Sequence, residues 1–483
     1  MEIEIPNEKL AEDDIKQIFE SVDVQKRGNN YFREAIRYFH EPFDIHQENL
    51  ENGELHKKLQ SLTFSIFKST SKERVTSIAE QKVREWIEKF ETPLFSTNLV
   101  DEIRSVIVRF FYEIIFENNP SETEILSYLQ SATNLHKTLK GEELRSLAKH
   151  LRMYENIKHH LETPCPLTWV NKENLNLSDR EILAKHLGGV FFQTGVIQTT
   201  ELICHALVEI YRTPAILDKI RLFVEHFSGP LSLEEIEKFN YLDYVLNESL
   251  RLFPEFGRTN REVTKRFTIK DITLEEGSVV YLNFQGSHQL YWDDPLTFKP
   301  ERWDNSSPDA TPKHIRDANF MPFGLGARRC PAEAFSRNAT KVAIVTIIKY
   351  VNLTIPENFV HTRRLIGGVP TIIELNACGQ AFRPYLPSNT VSVRDLVPRL
   401  GQNQRSAGKI DELPGLTFLG SVLKIANNFK KDYKFLDIVT FYPLITGAHI
   451  WLSFQVKRIK RYFKKLSTRY NNFLSRDNLK KLL

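Results

Sequence analysis

The chain has 483 residues, 41% of them hydrophobic and 26% charged. This is an ordinary globular composition, and it excludes wholesale disorder, a collagen and a disulfide-knotted miniprotein. The length suggests three domains at roughly 150 residues each, and the formal net charge of +4 argues against a dedicated nucleic-acid binder.

Residues 12–160 read mostly as helices, because segments such as KERVTSIAEQKVREWIEKF repeat apolar residues three and four apart. A long helix starts near Ser178, where SDRE fits a capping box with Glu181. It runs to about Arg212 and stops before Pro214, far enough to cross a whole domain. Residues 233–252 form another helix, ending at Pro254. RFTIKDITLEEGSVVYLNF then alternates apolar and polar residues around a Glu-Gly turn, which reads as short strands. Residues 289–330 are rich in proline and loops, a last helix spans about Ala332 to Tyr350, and VPTIIEL after it is strand-like. Residues 385–412 are polar and patternless, and read as a linker. The charge total hides a split: residues 457–483 hold ten Lys/Arg and one Asp, a net of +9, which leaves −5 on the other 456 residues.

The four cysteines, Cys165, Cys204, Cys330 and Cys378, form no C-x-x-C pair and no zinc-spaced Cys/His cluster. Each is a single thiol, and a reducing, cytoplasmic compartment is expected. The N-terminus is acidic and has no apolar stretch, so neither a signal peptide nor an N-terminal anchor is expected. The longest run without charge, Ile438–Val456, has 19 residues, but Pro443, Gly447, His449 and Gln455 interrupt it.

The segment that carries chemistry is Phe323-Gly-Leu-Gly-Ala-Arg-Arg-Cys330-Pro-Ala332. Glycines let a loop approach a flat ligand closely. Arg328, two residues before Cys330, favours a thiolate and can reach an anionic group. The helix that follows points its N-terminal dipole at the sulfur. Such a loop suits a thiolate held against a metal. These residues resemble the heme loop of the cytochrome P-450 family of heme-thiolate monooxygenases, F-x-x-G-x-R-x-C-x-G/A, with Phe323, Gly326, Arg328, Cys330 and Ala332 in every fixed place. LNESLRLFP carries the family's E-x-x-R as Glu248 and Arg251, and FKPERW resembles its meander, with Arg302 as the third, structural member. SHQLYWDDP resembles the segment before that meander.

The resemblance implies a mainly α fold with small β-sheets, heme b (iron protoporphyrin IX) as cofactor, and Cys330 as the iron ligand. NGELHKKLQ resembles the family's heme-contacting helix, so His56 would contact one propionate. The expected arginine is Gln60, with Lys57 and Lys58 as candidate substitutes. Arg261, in TNREV, matches an arginine that reaches the other propionate. The oxygen-activating pattern, A/G-G-x-D/E-T-T/S, falls on Gly195-Val196-Ile197-Gln198-Thr199-Thr200. Thr199 stands where the alcohol belongs and can open the helix locally. Gln198 replaces the acid; it can hold a water but cannot give up a proton. Val196 replaces a glycine, and Gly195 remains as the weak point.

Residues 12–32 already resemble a helix that should follow the family's proline-rich start, first helix and strand pair. ELPGLTFLGSVLKIANNFKKDYKFLDIVTFYPLITGAHIWLS, at the other end, resembles those missing parts. A circularly permuted domain is therefore expected: 1–384 as heme domain, 385–412 as linker, 413–456 as the displaced hinge, first helix and β-hairpin, and 457–483 as a basic tail. For 438–456 three readings stay open: a strand–turn–strand, a membrane-associated segment backed by the tail, and the start of a truncated second copy. The implied activity is insertion of one oxygen atom from dioxygen into a small apolar substrate. No G-x-G-x-x-G and no second Cys cluster is present, so electrons would come from a separate ferredoxin or flavoprotein reductase. The tail offers a peripheral membrane contact. The alternatives are a peroxide-driven or isomerase-type heme-thiolate enzyme, motivated by Gln198, and a heme-binding protein without turnover.

Overall fold

A computed structural model describes residues 2–5, 12–21, 24–25, 48, 51–90, 94–143, 146–162, 180–226, 231–289, 292–363 and 369–382. Contacts divide the chain into residues 1–395 and 396–483. The expectations for 385–412, 413–456 and 457–483 lie outside the described residues, as do Cys165 and Ser178.

The first elements are β1 (Glu2–Ile5), α1 (Glu12–Glu20), β2 (Val24–Gln25), α2 (Gly53–Ser69) and α3 (Lys72–Glu88). They are followed by β3 (Leu94–Asn98), α4 (Leu99–Phe116), α5 (Glu122–Lys140) and α6 (Leu147–His160). The helix ends follow the local chemistry. Ser71 caps α3 by accepting from the Arg74 amide, and Ser121 and Glu124 form a full capping box on α5. Gly141, in the left-handed region at φ 87°, ends α5.

The long helix is continuous from Arg180 to Arg212 but not uniform. It comprises α7 (Arg180–Leu187), a wide π-helical stretch at Gly188–Gly195, and α8 (Val196–Arg212). Pro214 opens α9 (Pro214–Glu225) as a first-turn residue. The segment expected as one helix over 233–252 is two, α10 (Leu233–Lys238) and α11 (Asn240–Leu252), broken at Phe239 where ψ is 72°. Helices α3, α4, α8 and α14 (Glu333–Tyr350, defined by its cap at Ala332) pack on one another around the main apolar core. Helix α4 buries Val108, Phe110, Ile115 and most of its other apolar side chains, so nearly every face is inside. Each fully buried aliphatic side chain contributes about 1.5–3 kcal/mol.

The strands after α11 are β4 (Arg258–Val263), β5 (Phe267–Ile269), β6 (Ile272–Leu274) and β7 (Val279–Asn283). One sheet has the order β1-β7-β4-β2. Strand β1 runs parallel to β7, with Glu2 opposite Val279, while β4 and β2 are antiparallel to their neighbours. Residues 2–5 thus supply a strand that the sequence pattern had not marked, and β1 and β2 flank the β7–β4 pair. A second apolar cluster joins Ile15, Ile18 and Phe19 of α1 to Val280 and Leu282 of β7 and to Met321. It anchors the loop that ends at Cys330. Short helix α12 (Phe284–Ser287) precedes the region 289–330, which contains α13 (Lys313–Asn319). VPTIIEL forms only a two-residue strand, β10 (Pro370–Thr371), paired with β9 (Thr362–Arg363); the longer strand is β11 (Asn376–Ala381), between β3 and β8 (Val351–Thr354).

Candidate active site

Helix α11 presents Glu248 and Arg251 one turn apart, both fully buried. Arg251 donates to both carboxylate oxygens, Nε to Oε2 at 2.9 Å and NH2 to Oε1 at 2.7 Å. Arg302 donates from Nε to Oε1 at 3.2 Å, Trp303 from Nε1 to Oε2 at 3.0 Å, and the Lys299 amide to Oε1 at 3.0 Å. The guanidinium of Arg251 also donates to the carbonyls of His288 and Pro295, at 3.0 and 2.6 Å. One carboxylate is therefore shared by two arginines, which also tie the chain from 288 to 302 to α11. A buried charge cluster of this kind persists only when its donors and acceptors are satisfied.

His288 extends the clamp toward the cysteine loop. It is fully buried, and burial holds its pKa down at about 3. The neutral ring accepts the Met321 amide through Nε2 at 3.2 Å. Sequence reasoning marked the SHQLYWDDP segment but not this role.

The loop closes when the Cys330 amide donates to the Phe323 carbonyl at 2.8 Å. Gly324 and Gly326 take φ of 77° and 64°, a region that favours glycine. A Cβ on Gly326 would lie 2.7 Å from the Phe19 carbonyl of α1, so only glycine lets the loop seat there. Helix α14 begins three residues after Cys330. Burial pushes the Cys330 thiol up to about 11, opposed by the Ala332 amide. A thiolate here therefore needs a neighbouring cation, which a metal supplies. Among the described residues no cluster of three or more His, Cys, Asp or Glu could hold a metal ion. Cys204 is a buried thiol raised to about 12 by desolvation.

Arg328 reaches toward the start of α2. Its NH1 lies 3.0 Å from the Glu48 carbonyl, 2.7 Å from the Glu51 carbonyl and 3.0 Å from His56 Nδ1, and its NH2 donates to Asn52 Oδ1 at 2.7 Å. His56 is buried, with Nδ1 also 2.8 Å from the Glu48 carbonyl. Asn52 occupies the N-cap of α2 but makes no side-chain cap; its oxygen faces Arg328 instead. Arg261, on β4, is buried, and its pKa falls to about 10 through burial and the charge of Arg328. Among the described residues neither arginine forms an ion pair with a carboxylate. Two neighbouring guanidiniums, Arg261 buried and Arg328 half-buried, with an imidazole and a thiol form a donor set that fits an anionic planar metal complex, as expected for heme b. Gln60 donates to the Ala327 carbonyl at 3.1 Å. Lys57 and Lys58 are exposed, and Lys57 pairs with Glu54 at 2.7 Å.

Thr199 is buried and Gln198 partly accessible on α8. The hydroxyl that bonds back to the helix backbone is that of Thr194, to the Gly189 carbonyl at 2.7 Å. The local opening therefore lies at Gly188–Gly195, just ahead of Gln198 and Thr199 rather than at them. The Thr200 hydroxyl is buried without a hydrogen-bond partner among the described residues. Phe67, Phe111, Phe191 and Phe335 pack ring to ring beside this stretch, so these phenylalanines are core.

Cys330, Phe64 and Gln60 line a cleft of about 800 Å³. Its rim pairs Lys72 with Glu237 at 2.9 Å, Arg329 with Glu333 at 2.6 Å, and both Arg337 and Lys341 with Asp243 at 3.4 and 3.0 Å. No helix among the described residues is long and apolar enough to cross a membrane.

A family model described as cytochrome P-450 matches residues 132–363. Cytochrome P-450 71D94 of Mentha gracilis is 29% identical over 184 residues, 37% of this chain and 37% of that protein. Cytochrome P-450 71D18 of Mentha gracilis is 30% identical over 171 residues, 34% of each chain. Lithocholate 6-beta-hydroxylase of Mesocricetus auratus is 28% identical over 182 residues, 37% of this chain and 35% of that protein. The chain spans little more than a third of the length of these curated relatives.

Proposed function

We propose that this chain, which belongs to the cytochrome P-450 family, is a heme-thiolate monooxygenase acting on a small apolar organic substrate. One oxygen atom of dioxygen enters a C–H bond of the substrate as a hydroxyl. The other leaves as water, with two electrons from a separate donor protein and two protons from solvent. Family members bind heme b, which when bound supplies the redox chemistry of oxygen activation. Cys330 would hold the iron through Sγ, and Arg261, Arg328 and His56 would take the two carboxylates. Gln198 can orient a water but not release a proton, so protons must pass through water held near the wide turn. Glu248, Arg251 and Arg302 fix the frame on which the loop rests.

The observation that carries this reading is the Cys330 loop, closed on Phe323 and seated on α1 through Gly326, together with the neighbouring guanidiniums of buried Arg261 and half-buried Arg328. The cleft beside Cys330 supports docking of the electron donor on that side. The test is turnover of a panel of apolar compounds by the heme-loaded chain with a reductase and dioxygen. Product carrying one labelled atom from ¹⁸O₂ is expected. Product only when hydrogen peroxide replaces reductase and dioxygen would favour the second reading, a peroxide-driven enzyme, which the amide at Gln198 supports.

A further inference from the structure

Glu48 stands between two histidines and an arginine, and its amide is held by a side chain 138 residues away. That side chain is His186, fully buried in the last turn of α7. Its Nδ1 accepts the Glu48 amide at 3.3 Å. Its Nε2 lies 3.0 Å from the Thr63 hydroxyl, which donates its own hydrogen to the Leu59 carbonyl at 3.2 Å. These contacts fix the tautomer. The hydroxyl has one hydrogen and has given it away, so it accepts from the ring. The ring proton therefore sits on Nε2, and Nδ1 is left bare for the amide. Burial keeps the ring neutral by holding its pKa down at about 3.

The other side of Glu48 faces the cysteine loop. Arg328 NH1 lies 3.0 Å from the Glu48 carbonyl, and His56 Nδ1 lies 2.8 Å from it. The Glu48 carboxylate also attracts Arg328 through space and disfavours a thiolate at Cys330, so the placement of residue 48 is felt at both. His56 and Thr63 are two turns apart on α2, and both are buried. The contacts close a ring: His186 to Thr63, along α2 to His56, across to the Glu48 carbonyl, and from the Glu48 amide back to His186.

We propose that His186 is a positioning residue of the anion cradle: by gripping the Glu48 amide it sets where Arg328 and His56 meet the carboxylates of the cofactor. The inference rests on the heme-thiolate reading for the identity of the anion, and on the contacts of His186 alone for its geometry. Arg328 has a rigid fork, and its hold on an anion depends on how its backbone acceptors aim it. His186 fixes one of those acceptors from a different helix, and so ties the cradle to α7.

The test compares wild type, His186→Leu and His186→Gln as heme-loaded full chains. Leucine fills the space and makes neither hydrogen bond; glutamine keeps an acceptor for the amide and a donor for Thr63. The first measurement is the rate of heme transfer to apomyoglobin. Expected is at least a fivefold acceleration in His186→Leu and a rate within twofold of wild type in His186→Gln. The second repeats His186→Leu in an Arg328→Lys background, where the fork is gone. A side chain that acts through Glu48 on Arg328 loses most of its effect there, and an acceleration of twofold or less is expected; one that merely stabilises the fold keeps its effect. The third is amide hydrogen exchange of the peptide that carries Glu48, with faster exchange expected in His186→Leu and wild-type exchange in His186→Gln. Wild-type heme loss or wild-type exchange in His186→Leu would overturn the proposal, as would equal acceleration in both backgrounds or equal losses in both variants. If His186→Leu does not fold, Thr63→Val, which removes the partner of Nε2, takes its place with at least a twofold acceleration expected, and a wild-type rate there overturns the proposal equally. If the wild type lacks a thiolate-type carbon-monoxide spectrum, the heme-thiolate reading falls instead, and the exchange comparison still decides whether His186 holds Glu48.

Discussion

Glu248 accepts from Arg251, Arg302, Trp303 and the Lys299 amide while fully buried. Replacing it with Gln would leave two buried guanidiniums without their counter-charge, a change that typically costs about 3–5 kcal/mol. Urea unfolding of Glu248→Gln should show a loss of that order, and a change below about 1 kcal/mol would contradict the clamp. Asn52 makes the opposite case. It caps nothing in its own helix and holds Arg328 instead. Asn52→Ala should lower heme retention, measured by the heme absorbance remaining after transfer to apomyoglobin, and leave far-ultraviolet helicity unchanged. The pairing of Glu248 with Arg251 was legible because both sit in a short motif whose spacing is local. The partners of Arg328 were not, because Asn52 lies 276 residues away and its position before a helix reads as a cap.

The elements were legible where one periodicity held throughout. Helices α3, α4 and α14 follow their apolar repeat. Helices α10 and α11 do not form one rod, because Phe239 leaves helical geometry between two individually good helices. The pairing of β1 with β7 joins residues 2–5 to 279–282, a separation that no local pattern encodes. At the cysteine loop two glycines that look equivalent in sequence differ in space. Gly324→Ala would meet only the Arg328 carbonyl at 3.9 Å, so its cost is that of the left-handed φ, about 1 kcal/mol. Gly326→Ala would add a clash with the Phe19 backbone at 2.7 Å. Thermal unfolding should therefore rank Gly326→Ala well below Gly324→Ala, and equal melting temperatures would contradict the seating of the loop on α1.

Across the whole molecule, buried ionisable groups set the response to pH. His186 and His288 are held neutral by burial, both down at about 3 against an ordinary 6.5. The unfolded chain binds protons at these sites below about pH 6.5 and the folded chain does not, so stability falls as pH falls from 6.5 toward 3, by on the order of a few kcal/mol per site. Glu255, raised by burial, acts in the opposite sense and erodes stability as pH rises above the ordinary carboxylate range. Melting temperatures between pH 7 and pH 4 should drop, and less steeply in His288→Gln, which keeps an acceptor for the Met321 amide; parallel curves would contradict this. The rim of the cleft beside Cys330 sets four cations against three carboxylates, Asp243 being shared by Arg337 and Lys341, a net of only +1, so association with an electron donor there should weaken only modestly between low and moderate salt. The length first suggested three domains, yet the family match and the cysteine loop lie together in residues 1–395. The most direct measurement is the absorption spectrum of the reduced, carbon-monoxide-bound protein beside that of Cys330→Ala. A red-shifted, thiolate-type Soret band in the wild type, lost in the variant, is predicted. Its absence from the heme-loaded wild type, or its survival without Cys330, would contradict thiolate ligation by that residue.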